Sequence, residues 1–133
     1  MKYPQKEFND ELRKQIKNKE LVFTSFLKEY VREKKPVLME EGLFLEAEFV
    51  IEGNDPFIPG YNSSITVGIT ESEGELLDIH IIYIWECTCS FFGVPIERRI
   101  PGSKISGELL DETVEEIAKE LTLFLDELVS DCE

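Results

Sequence analysis

The chain of 133 residues is 42% hydrophobic, so it is long enough to bury a core without a disulfide or metal, and we expect a single domain over residues 1–133. Its 28 Asp and Glu against 14 Lys and Arg give a net charge of −14, which disfavours nucleic acid as a partner because nucleic-acid binding depends largely on cationic side chains. No apolar run is long enough to span a membrane, and three cysteines without a framework spacing favour a reducing compartment, so we expect a cytoplasmic protein with no membrane partner.

The charge is distributed unevenly along the chain. Residues 1–36 contain ten Lys and Arg and six Asp and Glu, a net charge of +4. Residues 37–107 contain three Lys and Arg and twelve Asp and Glu, and residues 108–133 contain one Lys and ten Asp and Glu. Each of these two segments therefore carries a net charge of −9. A negative field of this strength attracts a basic protein and raises its rate of association.

The first predicted element is a helix over residues 5–34. Apolar side chains recur on one side of it at helical spacing, from Phe8 to Tyr30. The helix is expected to end before Pro36, because the residue preceding a proline is disfavoured in the α region.

Three later segments, residues 43–52, 65–70 and 76–91, change to a period of two. Their odd-numbered positions are mainly apolar, which predicts antiparallel strands with odd-numbered side chains in the core and even-numbered side chains in solvent. In the third segment the side chains predicted to face the core are Leu77, Ile79, Ile81, Tyr83, Trp85, Cys87, Cys89 and Phe91. A strand this long is unusual, so we expect a bend or bulge around Glu86–Cys89.

The C-terminal part of the sequence completes the predicted fold. Residues 94–100 are predicted as a fourth strand, at an edge of the sheet because Pro95 cannot donate to a ladder. Residues 109–129 alternate apolar steps of three and four, which predicts an amphipathic helix with Ser106 as its N-cap. The predicted class is α+β in two layers, in the order α-β-β-β-β-α. Both terminal helices pack on one face of an antiparallel sheet of three to four strands, and an acidic, hydroxyl-rich face is left to solvent.

The cysteines in the stretch "IWECTCSFF" raise the question of a metal or redox site. Cys87 and Cys89 share the odd phase of the strand, which predicts that they pack in the core. The only histidine, His80, has the opposite phase, and a structural zinc site requires four ligands. No C-x-x-C, phosphate-binding loop or catalytic motif occurs, so we expect no metal, no cofactor and no enzymatic activity.

The loop over residues 53–62 contains large apolar side chains where a connection needs only polar ones. Phe57, Ile58 and Tyr61 are therefore candidate partner-binding residues, since aromatic side chains dominate interface hot spots. The alternative is that this loop closes the end of the core. A second such stretch contains Phe92 and the adjacent Arg98 and Arg99, which are expected to pair with the protein's own acids.

Further candidate partner-binding residues are polar. They are Glu46, Glu48, Asp78 and His80 on the predicted solvent face of the sheet, and Glu112 and Glu116 on the last helix. A carboxylate beside His80 could form a general acid–base pair, whereas the alternative for all six is an ordinary solvated surface.

These features predict a non-enzymatic, acidic protein-binding module that engages a basic partner protein. Its most concrete form is an inhibitor or immunity-type protein that caps a cationic enzyme such as a nuclease. One alternative is a chaperone or adaptor that acts as a homodimer. A second alternative is a small-ligand binder whose pocket, between helices and sheet, is lined by Tyr83, Trp85 and the two cysteines.

Overall fold

Two long helices and six strands follow one another along the chain in the computed structural model, which describes residues 1–72, 74–97 and 99–132 and, of Cys132, the backbone alone. The helices are α1 (Asp10–Glu40) and α2 (Val114–Cys132), and Gln5–Glu7 forms one turn of 3₁₀ helix. The strands are β1 (Lys2–Pro4), β2 (Leu43–Glu52), β3 (Asn62–Glu71), β4 (Leu76–Phe91), β5 (Val94–Ile96) and β6 (Lys104–Leu109). The predicted α+β class, with helices packed on an antiparallel sheet, is confirmed.

Helix α1 begins later and ends later than the sequence predicted. The side chain of Asn9 caps its start by accepting a hydrogen bond of 2.8 Å from the Leu12 N–H. The predicted end before Pro36 is wrong, because the helix continues through this proline to Glu40. A proline inside a helix costs about 3 kcal/mol, and burial of Leu38 in the core beyond it offsets part of that cost.

The sheet has six strands, more than the three to four predicted, in the order β1-β6-β4-β3-β2 with β5 paired to the end of β4. Strands β1 and β6 are the additions, and they pair antiparallel with each other. Ser106 lies within β6, so its predicted role as a helix N-cap is wrong. The helix instead begins at Val114, after Thr113, whose hydroxyl accepts from the Glu116 N–H at 3.2 Å.

A bulge in β4 divides that strand into two halves of opposite phase. Ser64 pairs with Tyr83 and Ser63 with Trp85, so Ile84 is an extra residue in the ladder. Because an extra residue reverses the alternation of every later side chain, Trp85, Cys87 and Cys89 face the core as predicted. Before the bulge the prediction holds for Leu77, which is half-buried and packs against the core. It is wrong for the next three odd positions, since Ile79, Ile81 and Tyr83 are 45%, 48% and 47% exposed.

The core lies between the sheet and the two helices and contains two clusters of buried side chains. The larger joins α1 and α2 to β2, β3 and the first half of β4, and its members include Phe23, Leu45, Ile65 and Leu121. The smaller packs the beginning of α1 against the second half of β4 and is centred on Trp85. Both helices therefore cover the same face of the sheet, and the opposite face, termed the outer face below, is left open.

Candidate functional site on the outer face of the sheet

The outer face exposes large apolar side chains on β4, three of them at alternate positions beyond Leu76. Ile79, Ile81 and Tyr83, termed the apolar column, alternate along this strand with the core-facing positions. Each lies opposite a small residue of β3: Ile79 opposite Gly68, Ile81 opposite Thr66, and Tyr83 opposite Ser64. An exposed line of apolar side chains on a strand is a common feature of protein-binding surfaces.

Acidic side chains of β2 border this surface beyond β3. Glu46 pairs with Gly68 and Glu48 with Thr66, so both carboxylates lie on the outer face, as predicted for them, and both are exposed. The small residues of β3 separate these acids from the apolar column and form a trough. The trough belongs to a depression of about 500 Å³ whose lining includes Glu46, Glu48, Gly68 and Ile79.

Two opposed carboxylates lie at the other end of the apolar column. Glu86 of β4 pairs directly with Glu108 of β6, and Glu86 lies next to Asn62 of β3. Burial raises the pKa of Glu86, and the negative charge of Glu108 raises it further. Like charges directly opposite each other destabilise a sheet, so a cation bound between these carboxylates would relieve a repulsion that the free protein contains.

Most acidic side chains of the described chain have no cationic partner close by. Among the described residues, the acids that form ion pairs are Glu29, Asp55 and Asp111, and Glu120 lies within hydrogen-bond distance of His80. Glu86 and Glu108 are not among them, and neither are Glu46 and Glu48. The outer face therefore carries four carboxylates without an ion-pair partner in the described part of the chain, although Lys2 lies directly opposite Glu108 in the ladder and Lys35 lines the same depression as Glu46 and Glu48.

The loop between β2 and β3 closes one end of the core. Phe57 stacks on Phe8, with ring centroids 4.6 Å apart, and its edge meets Trp85. The indole N–H of Trp85 donates to the carbonyl oxygen of Pro56 at 2.7 Å. Phe57 therefore packs in the core, as the alternative for this loop proposed.

The start of the loop is held by an ion pair. Arg13 donates to the Asp55 carboxylate at 3.0 Å and lies over the Phe57 ring at 4.5 Å from its centroid. The Phe57 N–H also donates to Asp55, and this hydrogen bond lowers the pKa of Asp55, with Arg13 adding to the effect. Ile58, the remaining apolar residue of the loop, is exposed.

Tyr61 is buried rather than available to a partner. Its hydroxyl donates to the carboxylate of Glu20 on α1 at 2.7 Å, and both side chains are buried. Burial raises the pKa of Tyr61 well above its usual range, and the hydrogen bond and charge of Glu20 act in the same direction. The pair joins the loop to α1.

The bulge in β4 moves His80 to the core side, so its predicted place on the solvent face is wrong. The ring is half-buried against Phe124 of α2, and its Nε2 lies 2.9 Å from the carboxylate of Glu120. Asp78 shares this phase, pairs with Ile69 and is exposed; its carboxylate accepts from the Ile79 N–H at 2.8 Å. Neither side chain belongs to the outer face.

The two candidates near the start of α2 have different surroundings. The Glu116 carboxylate accepts from the Thr113 N–H at 3.4 Å, which completes a capping box with the Thr113 hydroxyl. Glu112 is half-buried and lines a groove of about 450 Å³ between α1 and the beginning of α2. The structure thus distributes the nine predicted residues over several surfaces and does not bring them together.

The cysteine-lined ligand pocket that the sequence suggested is not formed by those residues. Trp85 is fully buried, whereas Tyr83 lies on the opposite face of the sheet. Burial raises the pKa of the Cys87 thiol to about 11, with smaller contributions from Asp55 and Cys89, so this thiol is unreactive near neutral pH. Within the described residues, no group of three His, Cys, Asp or Glu side chains is arranged to hold a metal ion.

The hairpin between β4 and β5 carries the most exposed large apolar side chain, Phe92, at its tip. Its backbone is left-handed, with φ of 52°, a conformation that glycine and asparagine adopt more readily. Arg99 nearby is exposed, and Arg98 lies outside the described residues. This tip is at the opposite end of β4 from Ile79.

The sequence reasoning missed the four residues that define the outer face best: Ile81, Tyr83, Glu86 and Glu108. The run Ile81–Trp85 is apolar at both odd and even positions, so its phase cannot be read from alternation. Glu86 and Glu108 become neighbours only through the pairing of β4 with β6.

No family model, curated protein or solved structure matches this chain. No helix among the described residues has both the length and the apolar character needed to cross a membrane.

Proposed function

We propose that this protein is a non-enzymatic protein-binding module that engages a basic partner protein through the outer face of its sheet. The observation that carries the proposal is the exposed apolar column (Ile79, Ile81 and Tyr83), with carboxylates along one side of it and at one end. Neither helix covers it. An apolar centre with a charged rim is the usual anatomy of a protein interface.

The charge of the rim selects the partner. Glu46 and Glu48 lie on one side of the apolar column, and the opposed Glu86 and Glu108 lie at its end. A partner that places Lys or Arg between the last two carboxylates gains their attraction and removes their mutual repulsion. A basic partner is therefore favoured over an acidic or neutral one.

More specifically, we propose that the protein is an inhibitor or immunity-type protein. The paired carboxylates of Glu86 and Glu108 would occupy a basic cleft of an enzyme that normally accepts phosphate groups, as in a nuclease. Tyr83, the exposed aromatic side chain beside them, would supply the anchoring contact.

A homodimeric adaptor remains the competing proposal. Each copy carries a charge of −14, so two copies that meet through their outer faces would bring like-charged rims together. A monomeric mass by light scattering at low and at moderate salt is the expected result.

The proposal is tested by affinity capture from a lysate of the source cells with matched variants. The test variant carries Ile81→Ser and Tyr83→Ser on the outer face. The control carries Leu21→Ser and Val22→Ser, because these two α1 side chains are apolar and at least as exposed as Ile81 and Tyr83. Circular dichroism and thermal melts establish that both variants are folded.

We expect a basic protein to be captured by the wild type and by the control, and its recovery to fall at least tenfold with the test variant, a loss that corresponds to about 1.4 kcal/mol. The recovery should also fall as salt is added, because salt screens the attraction between the exposed carboxylates around the apolar column and a basic partner. Equal recovery by the test and control variants would contradict the proposal.

A further inference from the structure

The first half of β4 has a strand neighbour on one side only. Along one edge β3 pairs with Leu76–Glu86, whereas along the other edge β6 pairs only with Trp85–Ser90. A hydrogen bond from the Leu110 N–H to the Ile84 carbonyl oxygen extends this second ladder by one step. Among the described residues, no strand pairs with the second edge along residues 76–83, termed the open edge.

The open edge has only part of the usual protection against strand addition, namely Asp78 on the core side and an irregularity in the ladder at Leu77. Natural edge strands are blunted by proline, lysine, short length or inward-pointing charge. Residues 76–83 read "LLDIHIIY", eight residues without proline or lysine and with Asp78 as the one acidic side chain. This length matches a strand of ordinary size.

One flank of α2 runs beside the open edge. Glu120 and Phe124 contact His80 of β4, which places this side of the helix next to the first half of the strand. Glu116, Leu123 and Glu127 lie on the same flank at helical spacing, and all three are exposed. Tyr30 of α1 contacts Thr122, on the other side of α2. The open edge thus lies between the apolar column on the outer face and a mainly acidic helix flank on the core side.

We propose that the basic partner binds by adding an extended segment of alternating apolar and cationic residues as a strand at the open edge. Successive side chains of a strand point to opposite faces. Apolar residues of the added strand would extend the apolar column, while Lys or Arg residues would meet Glu116, Glu120 and Glu127. This inference rests on the proposed function, since it specifies how the basic partner is held.

A second copy of this chain fits the open edge poorly. Antiparallel pairing of two β4 edges would place the Glu116 and Glu127 flanks of both copies beside each other, and no cationic residue of the open edge would compensate. A cationic strand satisfies the same backbone groups without this repulsion.

The test uses a synthetic nine-residue peptide of alternating Val and Lys, with blocked termini. Backbone amide exchange of the full chain is followed by NMR with and without the peptide. One control peptide has two adjacent central residues N-methylated, which removes donors from both strand edges. A second control has the same composition with Val and Lys in separate blocks.

Two matched variants locate the peptide. Glu127→Lys reverses a charge on the flank of α2 beside the open edge. Asp126→Lys makes the same change of charge at the neighbouring position of the helix. Asp126 lies on the α1 side of the helix, where its charge raises the pKa of Tyr30.

We expect the alternating peptide to protect amides within residues 76–83, and neither control peptide to do so. Glu127→Lys should weaken peptide binding at least fivefold, and Asp126→Lys less than twofold. The inference would be overturned if the peptide protected other amides or none, or if the two variants weakened binding equally. It would also be overturned if the chain formed a stable dimer whose interface protects residues 76–83. If capture of the basic protein still depends on Ile81 and Tyr83 in that case, the proposed function stands and only the strand-addition mode falls.

Discussion

Glu86 on β4 and Glu108 on β6 face each other directly across the sheet, two carboxylates on a surface that neither helix covers. Burial and the charge of Glu108 raise the pKa of Glu86 in the folded state above its value in the unfolded chain. Protonation of Glu86 therefore adds to the free energy of unfolding. This contribution is complete below the pKa that Glu86 has in the unfolded chain, and it is lost as the pH rises through the pKa of Glu86 in the folded protein. At neutral pH the ionised pair therefore destabilises the fold.

The substitution Glu86→Gln should raise the free energy of unfolding at pH 7 by about 0.5 kcal/mol, because it removes a partly buried charge and, with it, a like-charge pair of adjacent strands. Urea denaturation over a range of pH measures this, and the difference from wild type should disappear below about pH 4. Glu48→Gln is the control, since Glu48 lies opposite Thr66 on the same face. A variant that is less stable than wild type at pH 7 would contradict this account.

Cys87 and Cys89 should be unreactive thiols in the folded protein. Both are buried, and the pKa of Cys87 is raised to about 11, so little thiolate is present at pH 8. In a Cys132→Ser background, alkylation followed by mass spectrometry should proceed roughly a hundredfold more slowly than in urea. Rapid labelling of either cysteine under native conditions would show that the Trp85 end of the core is open.

Gly107→Ala should destabilise the protein by about 3 kcal/mol, because a Cβ at this position on β6 would overlap the ring of Trp85. Gly68→Ala on β3, which like β6 has a strand on each side, is the matched control. A Cβ there meets nothing closer than 3.8 Å, so its stability should remain within about 0.5 kcal/mol of wild type. Thermal denaturation compares the two, and similar stabilities would indicate that Trp85 does not pack over Gly107.

Tyr61→Phe should cost about 2 kcal/mol of stability, since it leaves the buried carboxylate of Glu20 without its 2.7 Å hydrogen bond. Tyr83→Phe, which removes an exposed hydroxyl on the outer face, should change the free energy of unfolding by less than about 0.5 kcal/mol. Denaturant unfolding of both variants gives the comparison. An equal and small effect of the two changes would mean that the Tyr61–Glu20 pair contributes nothing.

The alternation of apolar and polar residues predicted the strands best where one face is strictly apolar. Leu43 and Leu45 on β2, and Ile65 and Val67 on β3, face the core as expected. On β4 the apolar run Ile81–Trp85 is compatible with either phase, and the bulge that fixes the phase depends on pairing with β3. Local alternation contains no information about that register.

Contacts between distant parts of the sequence explain the remaining differences. Strand β1 pairs with β6 across more than a hundred residues, and neither short strand has a pattern of its own. The burial of Leu38 carries α1 past Pro36, although local backbone preference favours an end there. The candidate site depends on the same long-range pairing, because Glu86 and Glu108 meet only in the folded sheet.

The central claim, that a basic partner occupies the outer face, is tested most directly by deuterium exchange of the protein alone and in complex with the captured basic protein. The account predicts slower exchange in β4 along residues 76–91 and in β6 along residues 104–109, with α1 residues 13–22 unchanged. Protection confined to α1, or to the loop over residues 53–61, with unchanged exchange in β4 would contradict it.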